Sequence, residues 1–287
     1  MPLGTKRRVE GVGLHGGVRG ALTFEATQGP TTLGRGDDRA ELAALDVRGD
    51  DRSTIARLPS GAEVRSIEHL LAAIAGAGAF DGVRIDVEGY EVPLLDGCAR
   101  VMMDAIDRVL ESVGDRAICA REARVVREAS IEALDARYSF SSGEGTELQI
   151  DVDFDASRFG RPLRGEASWR GDVESFRTSI ATARTFGAAR ELQALRARGL
   201  AAHVPEGIVV ALDLDDPARA PSDAGEPIRH KLLDLIGDLG RLGAPLIGRL
   251  HAHRPSHRAS DAVLRRALAD GVIVVGRATA SAAVSTL

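Results

Sequence analysis

Apolar positions recur at helical spacing along several stretches of the chain and alternate with polar ones along others. Over residues 226–239, Ile228, Leu232, Leu235, Ile236 and Leu239 fall on one arc, the pattern of a core-facing helical stripe. His230, Asp234 and Asp238 occupy the other arc. Residues 66–78 have an almost wholly apolar interior and read as a buried helix with Ser66 as its N-cap. Helical spacing returns over 99–113 through Met102, Ile106, Val109 and Leu110, then over 189–198 up to Gly199, and last over 259–268 after a turn at 254–258. Alternation predicts strands over 18–26, 83–87 and 148–154. Residues 123–126, 130–134 and 245–253 also read as strands, 208–212 as a buried one, and 54–58 as a strand end before the Pro59-Ser60-Gly61 turn. Residues 29–51 read as irregular structure or short edge strands, 157–170 as loop plus strand, and 213–225 as loop. Strands and helices thus run through a first half, residues 1–118, and start again in a second, residues 119–287. An α+β protein of two halves packed on each other is the expectation.

Composition changes this picture little. The 287 residues are 44 % apolar, enough for a sizeable core. A net charge of −5 gives no reason to expect a nucleic-acid partner. Cys98 and Cys119 cannot build a disulfide framework, which agrees with a reducing compartment. No apolar segment follows the first residues and no run approaches membrane-spanning length, so the cytoplasm is expected. Lys6 and Lys231 are the only lysines, and Lys231 stands beside His230.

Candidate chemistry starts from that helix. A four-residue step drifts only about 40° around the axis, so His230 and Asp234 point at one spot from successive turns. An imidazole and a carboxylate so placed suit Zn²⁺, which takes N and O ligands at about 2.0–2.2 Å and needs a third ligand from elsewhere. Asp238 lies roughly 12 Å beyond His230 along the axis, too far for the same ion, and would orient a neighbour instead. Taken alone, a solvated helix face with Asp234 paired to a base explains the pattern more simply. Glu68 and His69, at the mouth of the buried helix, are costly there unless used or paired; an ordinary solvated first turn is the other reading. Gly11-Val12-Gly13-Leu14-His15-Gly16 matches a dinucleotide fingerprint by letter, but a strand follows it rather than a helix, so the glycines shape a turn with a solvated His15 at its tip. His251 and His253 alternate on one strand face, which could seat a metal or simply be exposed. No G-x-S-x-G elbow supports serine-hydrolase chemistry.

Four stretches taken in order resemble the UDP-3-O-acyl-N-acetylglucosamine deacetylase family, the zinc amidases of lipid A synthesis. They are Gly11-Val12-Gly13-Leu14-His15; Ser66-Ile67-Glu68-His69-Leu70 with Glu91-Val92-Pro93-Leu94-Leu95-Asp96-Gly97; Ala183-Arg184-Thr185-Phe186-Gly187; and Arg229-His230-Lys231 through Asp238, with His257 following. The resemblance implies two β-α-α-β domains, helices sandwiched between sheets. It implies Zn²⁺, with Fe²⁺ as the alternative, on His69, His230 and Asp234, Glu68 as general base, and His257 held by Asp238 as the second catalytic group. Thr185 would donate to the oxyanion, Lys231 would meet the substrate diphosphate, and Phe186 and Gly187 would border the substrate. It further implies a UDP-linked acylated amino sugar as substrate, transient membrane-surface contact through the acyl chain, and a monomer. The resemblance also implies that residues 199–210 line the acyl passage; the chain departs from the family within that stretch, over 199–207, and at Ser256-His257-Arg258-Ala259-Ser260 and Phe154-Asp155-Ala156-Ser157. A diverged paralogue acting on another N-acetyl sugar, or binding without catalysis, is the second reading.

Overall fold

The computed structural model describes residues 6–112, 119–198, 202–216, 221 and 223–278. The first half comprises β1 (Arg7–Val12), β2 (Arg19–Pro30), β3 (Thr32–Arg35), β4 (Asp38–Glu41), β5 (Asp46–Gly49), β6 (Thr54–Arg57), β7 (Glu63–Arg65), α1 (Glu68–Gly76), β8 (Asp81–Glu88) and α2 (Arg100–Glu111). After it come β9 (Arg121–Val125), β10 (Ala129–Ala133), β11 (Ala136–Ser141), β12 (Thr146–Phe154), α3 (Ala156–Phe159), β13 (Leu163–Trp169) and α4 (Val173–Ser175). The described chain closes with β14 (Phe186–Ala188), α5 (Ala189–Ala197), β15 (Val210–Leu212), α6 (Glu226–Gly240), β16 (Leu246–His253), α7 (His257–Ala269) and β17 (Ile273–Arg277).

A five-stranded sheet of order β1-β2-β8-β3-β4 and a seven-stranded one built on β10-β11-β16-β12-β13, with β9 and β17 beside β16, form the two outer layers. Helices fill the space between. α2 lies against β1, β2 and β8, α6 against β12 and β13, and α1 and α6 against each other, with α7 beside α6. The expected α+β sandwich is what the chain forms. Its cause is visible in the burial pattern: Leu22 and Phe24 of β2, Val83, Ile85 and Val87 of β8, and Leu148, Ile150 and Val152 of β12 turn one face of each strand inward. A third, small sheet, β5-β6-β7, packs through β5 onto α7 and so ties the two halves together.

The glycine-rich start is the hairpin between β1 and β2, paired from Arg7↔Phe24 to Val12↔Arg19, as the rejected dinucleotide reading required. Other expectations need correction. Ser66 does not cap α1: it adopts φ +57°, Ile67 takes the cap position without a side-chain bond, and the Ser66 hydroxyl donates instead to Glu91. α7 begins at His257 rather than 259, because Ser256 caps it by accepting from the Ala259 amide. The strand expected over 208–212 is only Val210–Leu212 and is half-buried, pairing with the short β14 alone. β11 and β17 were not anticipated. The polar arc of α6 is not solvated either: His230, Asp234 and Asp238 are 3, 7 and 4 % exposed. The helix stop at Gly199 and the end of the first half expected at residue 118 lie outside the described residues.

Candidate active site

α1 and α6 cross where Gly237 faces the Glu68 carbonyl. A Cβ on residue 237 would lie 2.1 Å from that oxygen, so only glycine permits so close a crossing. At this seam His69, in the first turn of α1, meets His230 and Asp234 from successive turns of α6. Their ligand atoms all lie within 4.8 Å of one another. Nε2 of His230 and of His69 stand 3.4 and 3.8 Å from Asp234 Oδ1, and the two rings meet edge to face at 87°. Among the described residues this is the group of His, Cys, Asp and Glu ligands that converges as a metal site would require.

Neighbours fix each donor. His230 Nδ1 lies 2.9 Å from the Ala183 carbonyl, which can only accept, so Nδ1 carries the proton and Nε2 keeps its lone pair beside Asp234. Burial pulls the His230 imidazole down to about 4 against the attraction of Asp234, which keeps it neutral at neutral pH. Burial pushes the Asp234 carboxyl the other way, yet Lys231, followed by the nearby imidazoles, holds it well below the usual carboxylate range. Lys231 Nζ donates to Asp234 Oδ2 at 2.8 Å and leaves Oδ1 to face the two rings. Two imidazole nitrogens and one ionised oxygen form a donor set that fits a divalent ion with a position left open.

Two further groups flank these donors. Glu68 is 7 % exposed, and burial raises its carboxyl above the ordinary range. Its Oε2 accepts from the Thr54 amide at 2.8 Å. His257 Nδ1 donates to Asp238 Oδ1 at 2.9 Å. Burial opposes protonation of that ring, but Asp238 first, then Asp234 and Glu68, raise it to about 9, so it is an imidazolium at neutral pH. A carboxyl shifted up and an imidazole shifted up, side by side, are suited to accepting and donating protons in one reaction.

The segment leading into β14 closes one side. A π-turn over Phe176–Ile180 precedes Ala183, Thr185 donates its amide to Gly97 O at 2.7 Å, and Val210 donates to Thr185 O at 2.8 Å. Arg184 grips Glu226, at the start of α6, with Nε at 2.7 Å and Nη2 at 3.0 Å, while its Nη1 reaches Gly207 O. Phe186 stands edge-on to the His230 ring at 5.9 Å, and Gly187 follows it within β14.

The ten residues that the resemblance assigns to the site therefore lie on this seam or on the segment closing it. His251 and His253 do not. They lie on the outer face of β16 around Asp151, with His251 Nε2 2.7 Å and His253 Nδ1 3.6 Å from Oδ2. His15 is not simply solvated: its amide and Nδ1 both bond to buried Glu91, at 2.9 Å each. Sequence reasoning passed over Thr54, the Ala183 carbonyl and the Arg184–Glu226 clamp. A hydroxyl at a strand start and a main-chain carbonyl leave no distinctive trace in a single sequence.

The sequence profile of the LpxC family, UDP-3-O-acyl N-acetylglycosamine deacetylase, matches residues 2–269. UDP-3-O-acyl-N-acetylglucosamine deacetylases of Brucella melitensis, Brucella ovis and Brucella abortus are each 31 % identical to the chain over 281 residues, covering 93 % of it and 94 % of the relative. The match runs through every segment that builds the seam. The chain belongs to the UDP-3-O-acyl-N-acetylglucosamine deacetylase family.

Proposed function

We propose that the protein is a metal-dependent amidohydrolase that removes the N-acetyl group from UDP-3-O-(3-hydroxyacyl)-N-acetylglucosamine, the committed step of lipid A synthesis. Family membership supports the substrate and reaction. The observation that carries the reading is the convergence of His69, His230 and Asp234 next to a buried carboxyl and a partly buried imidazolium. His69 Nε2, His230 Nε2 and Asp234 Oδ1 would hold the ion, Zn²⁺ or Fe²⁺. When bound, such an ion supplies a Lewis acid that polarises the amide carbonyl and acidifies water.

The chain's own residues handle the protons. Glu68 takes the proton of the attacking water as the new C–O bond forms, a role that its raised pKa suits. His257, charged and anchored through Nδ1, steadies the developing oxyanion and gives a proton to the amine as the C–N bond breaks, releasing acetate. Thr185, its backbone pinned by Gly97 and Val210, adds a hydroxyl donor to that oxyanion. Phe186 and Gly187 border the substrate. Lys231 serves the diphosphate, a role that requires its Nζ to leave Asp234 when substrate arrives. No described helix is long and apolar enough to cross a membrane. The reading includes a cytoplasmic monomer that touches the membrane surface only through the acyl chain.

Deacetylation of this substrate by the purified protein, with metal quantified on the same sample, tests the proposal. Turnover should vanish with a chelator and return with up to one equivalent of Zn²⁺. Bound metal without turnover would overturn it in favour of a diverged paralogue.

A further inference from the structure

Thr54 touches both sides of the acid–base pair. It opens β6, is 1 % exposed, and spends every polar atom on the site. Its amide donates to Glu68 Oε2 at 2.8 Å, and its carbonyl accepts from the Ile67 amide, one residue ahead of Glu68, at 3.1 Å. Its hydroxyl reaches the second half of the chain, with Oγ1 2.7 Å from Asp238 Oδ1 and 3.3 Å from His257 Nδ1. Asp238 can only accept, so the single hydroxyl proton lies on that bond, and Oγ1 offers a lone pair to the Nδ1–H that already donates to the same carboxylate oxygen. A triangle of Thr54, Asp238 and His257 results.

The small sheet holds this triangle in place independently. Gly49 of β5 pairs with Thr54, and a Cβ on Gly49 would fall 2.0 Å from the His257 carbonyl oxygen. The β5–β6 pair therefore sits directly against the first turn of α7. A carboxylate with one donor can swivel about its last torsion, whereas two donors on one oxygen fix it and the ring it carries.

We propose that Thr54 is a positioning residue for the hydrolysis: its hydroxyl locks Asp238 and His257 so that Nε2 of the imidazole meets the reacting amide, while its main chain holds Glu68. This rests on the hydrolase reading above. The side chain and the main chain serve different partners, so a side-chain substitution separates the two. Thr54→Val keeps the shape, the β-branch and both main-chain bonds, and removes only the hydroxyl.

The test uses the metal-loaded full chain. Thr54→Val should lower kcat about ten- to a hundredfold, the range expected for one hydrogen bond to a charged group. KM, metal content and thermal midpoint should stay within twofold or a few degrees of the parent, and Thr54→Ser should recover most of the loss. The second readout needs no turnover: the ¹⁵N-histidine NMR signal of His257 Nδ1–H should be sharp and slow to exchange in the parent, and broadened in Thr54→Val but not in Thr54→Ser. A parent that lacks turnover but shows this NMR contrast would sink the substrate assignment and keep the Thr54 role. An unchanged kcat together with an unchanged His257 signal would overturn the Thr54 role, as would equal losses in both variants or losses that follow metal content or melting.

Discussion

Glu68 shows how much one position can be asked to do. It is the first residue of α1 and neighbours a candidate ligand, yet its own carboxylate accepts from Thr54 rather than joining the convergent set. Glu68→Ala should therefore leave the metal bound while lowering kcat about 10²- to 10⁴-fold, the range for loss of a general base. Metal content measured alongside turnover checks it, and loss of metal in this variant would move Glu68 into the coordination shell. His230 and Asp234 were legible because a four-residue step on a helix is a fixed geometry, whatever surrounds it. Their burial was not legible, since helical periodicity reports where apolar residues lie but says nothing of a polar arc pressed against another helix. Ser66 misled for a related reason. Its type suits a cap, but the hydroxyl found a stronger acceptor in Glu91.

Elements carry the site into register. α6 was readable almost to its ends because about three turns of apolar spacing leave little ambiguity, and Pro227 does fall in its first turn. β11 left its own trace, buried Ala136, Tyr138 and Phe140 alternating with Arg137, Ser139 and Ser141, but six residues beside a turn give a weak signal. The approach of α1 to α6 depends on Gly237. Gly237→Ala drives a methyl into the Glu68 carbonyl and should separate the helices, destabilising the fold by about 1–3 kcal/mol. Metal affinity should fall with it, because His69 stands on one helix and His230 and Asp234 on the other; calorimetric titration with Zn²⁺ would detect this, and unaltered affinity would refute it. The turn after β1 supplies a pH-dependent contact. Burial works against ionisation of Glu91, but the His15 ring and the amides of His15 and Gly16 bring its carboxyl to about 2 from an ordinary 4.5. A folded-state pKa below the unfolded one means that this stabilisation is complete above about 4.5 and is lost as pH falls toward 2, on the order of 3 kcal/mol in total. Urea unfolding between pH 6 and 3 should show that slope in the parent and a shallower one in Glu91→Gln; equal slopes would assign the acid sensitivity elsewhere.

At the scale of the whole molecule, the site is a joint between two halves that the linear sequence could only suggest were alike. One half gives Glu68, His69 and Thr54; the other gives His230, Asp234, Asp238 and His257. The layered architecture explains why the cluster can be buried at all: two sheets shield the helices, and the candidate ligands meet where α1 and α6 cross. An ion that bridges the halves binds the folded chain and not the separated strands of an unfolded one, so it must stabilise the fold by mass action. Free Zn²⁺ at a hundred times its dissociation constant should add about 2.7 kcal/mol, read as a shift of the urea midpoint between chelated and loaded protein. His230→Ala should unfold at one midpoint with and without Zn²⁺, since it removes the ligand fixed by Ala183 while leaving the His251, His253 and Asp151 group intact. The same increment in parent and variant would place the stabilising ion on that outer face of β16, and the joint between the halves would then have to hold without it.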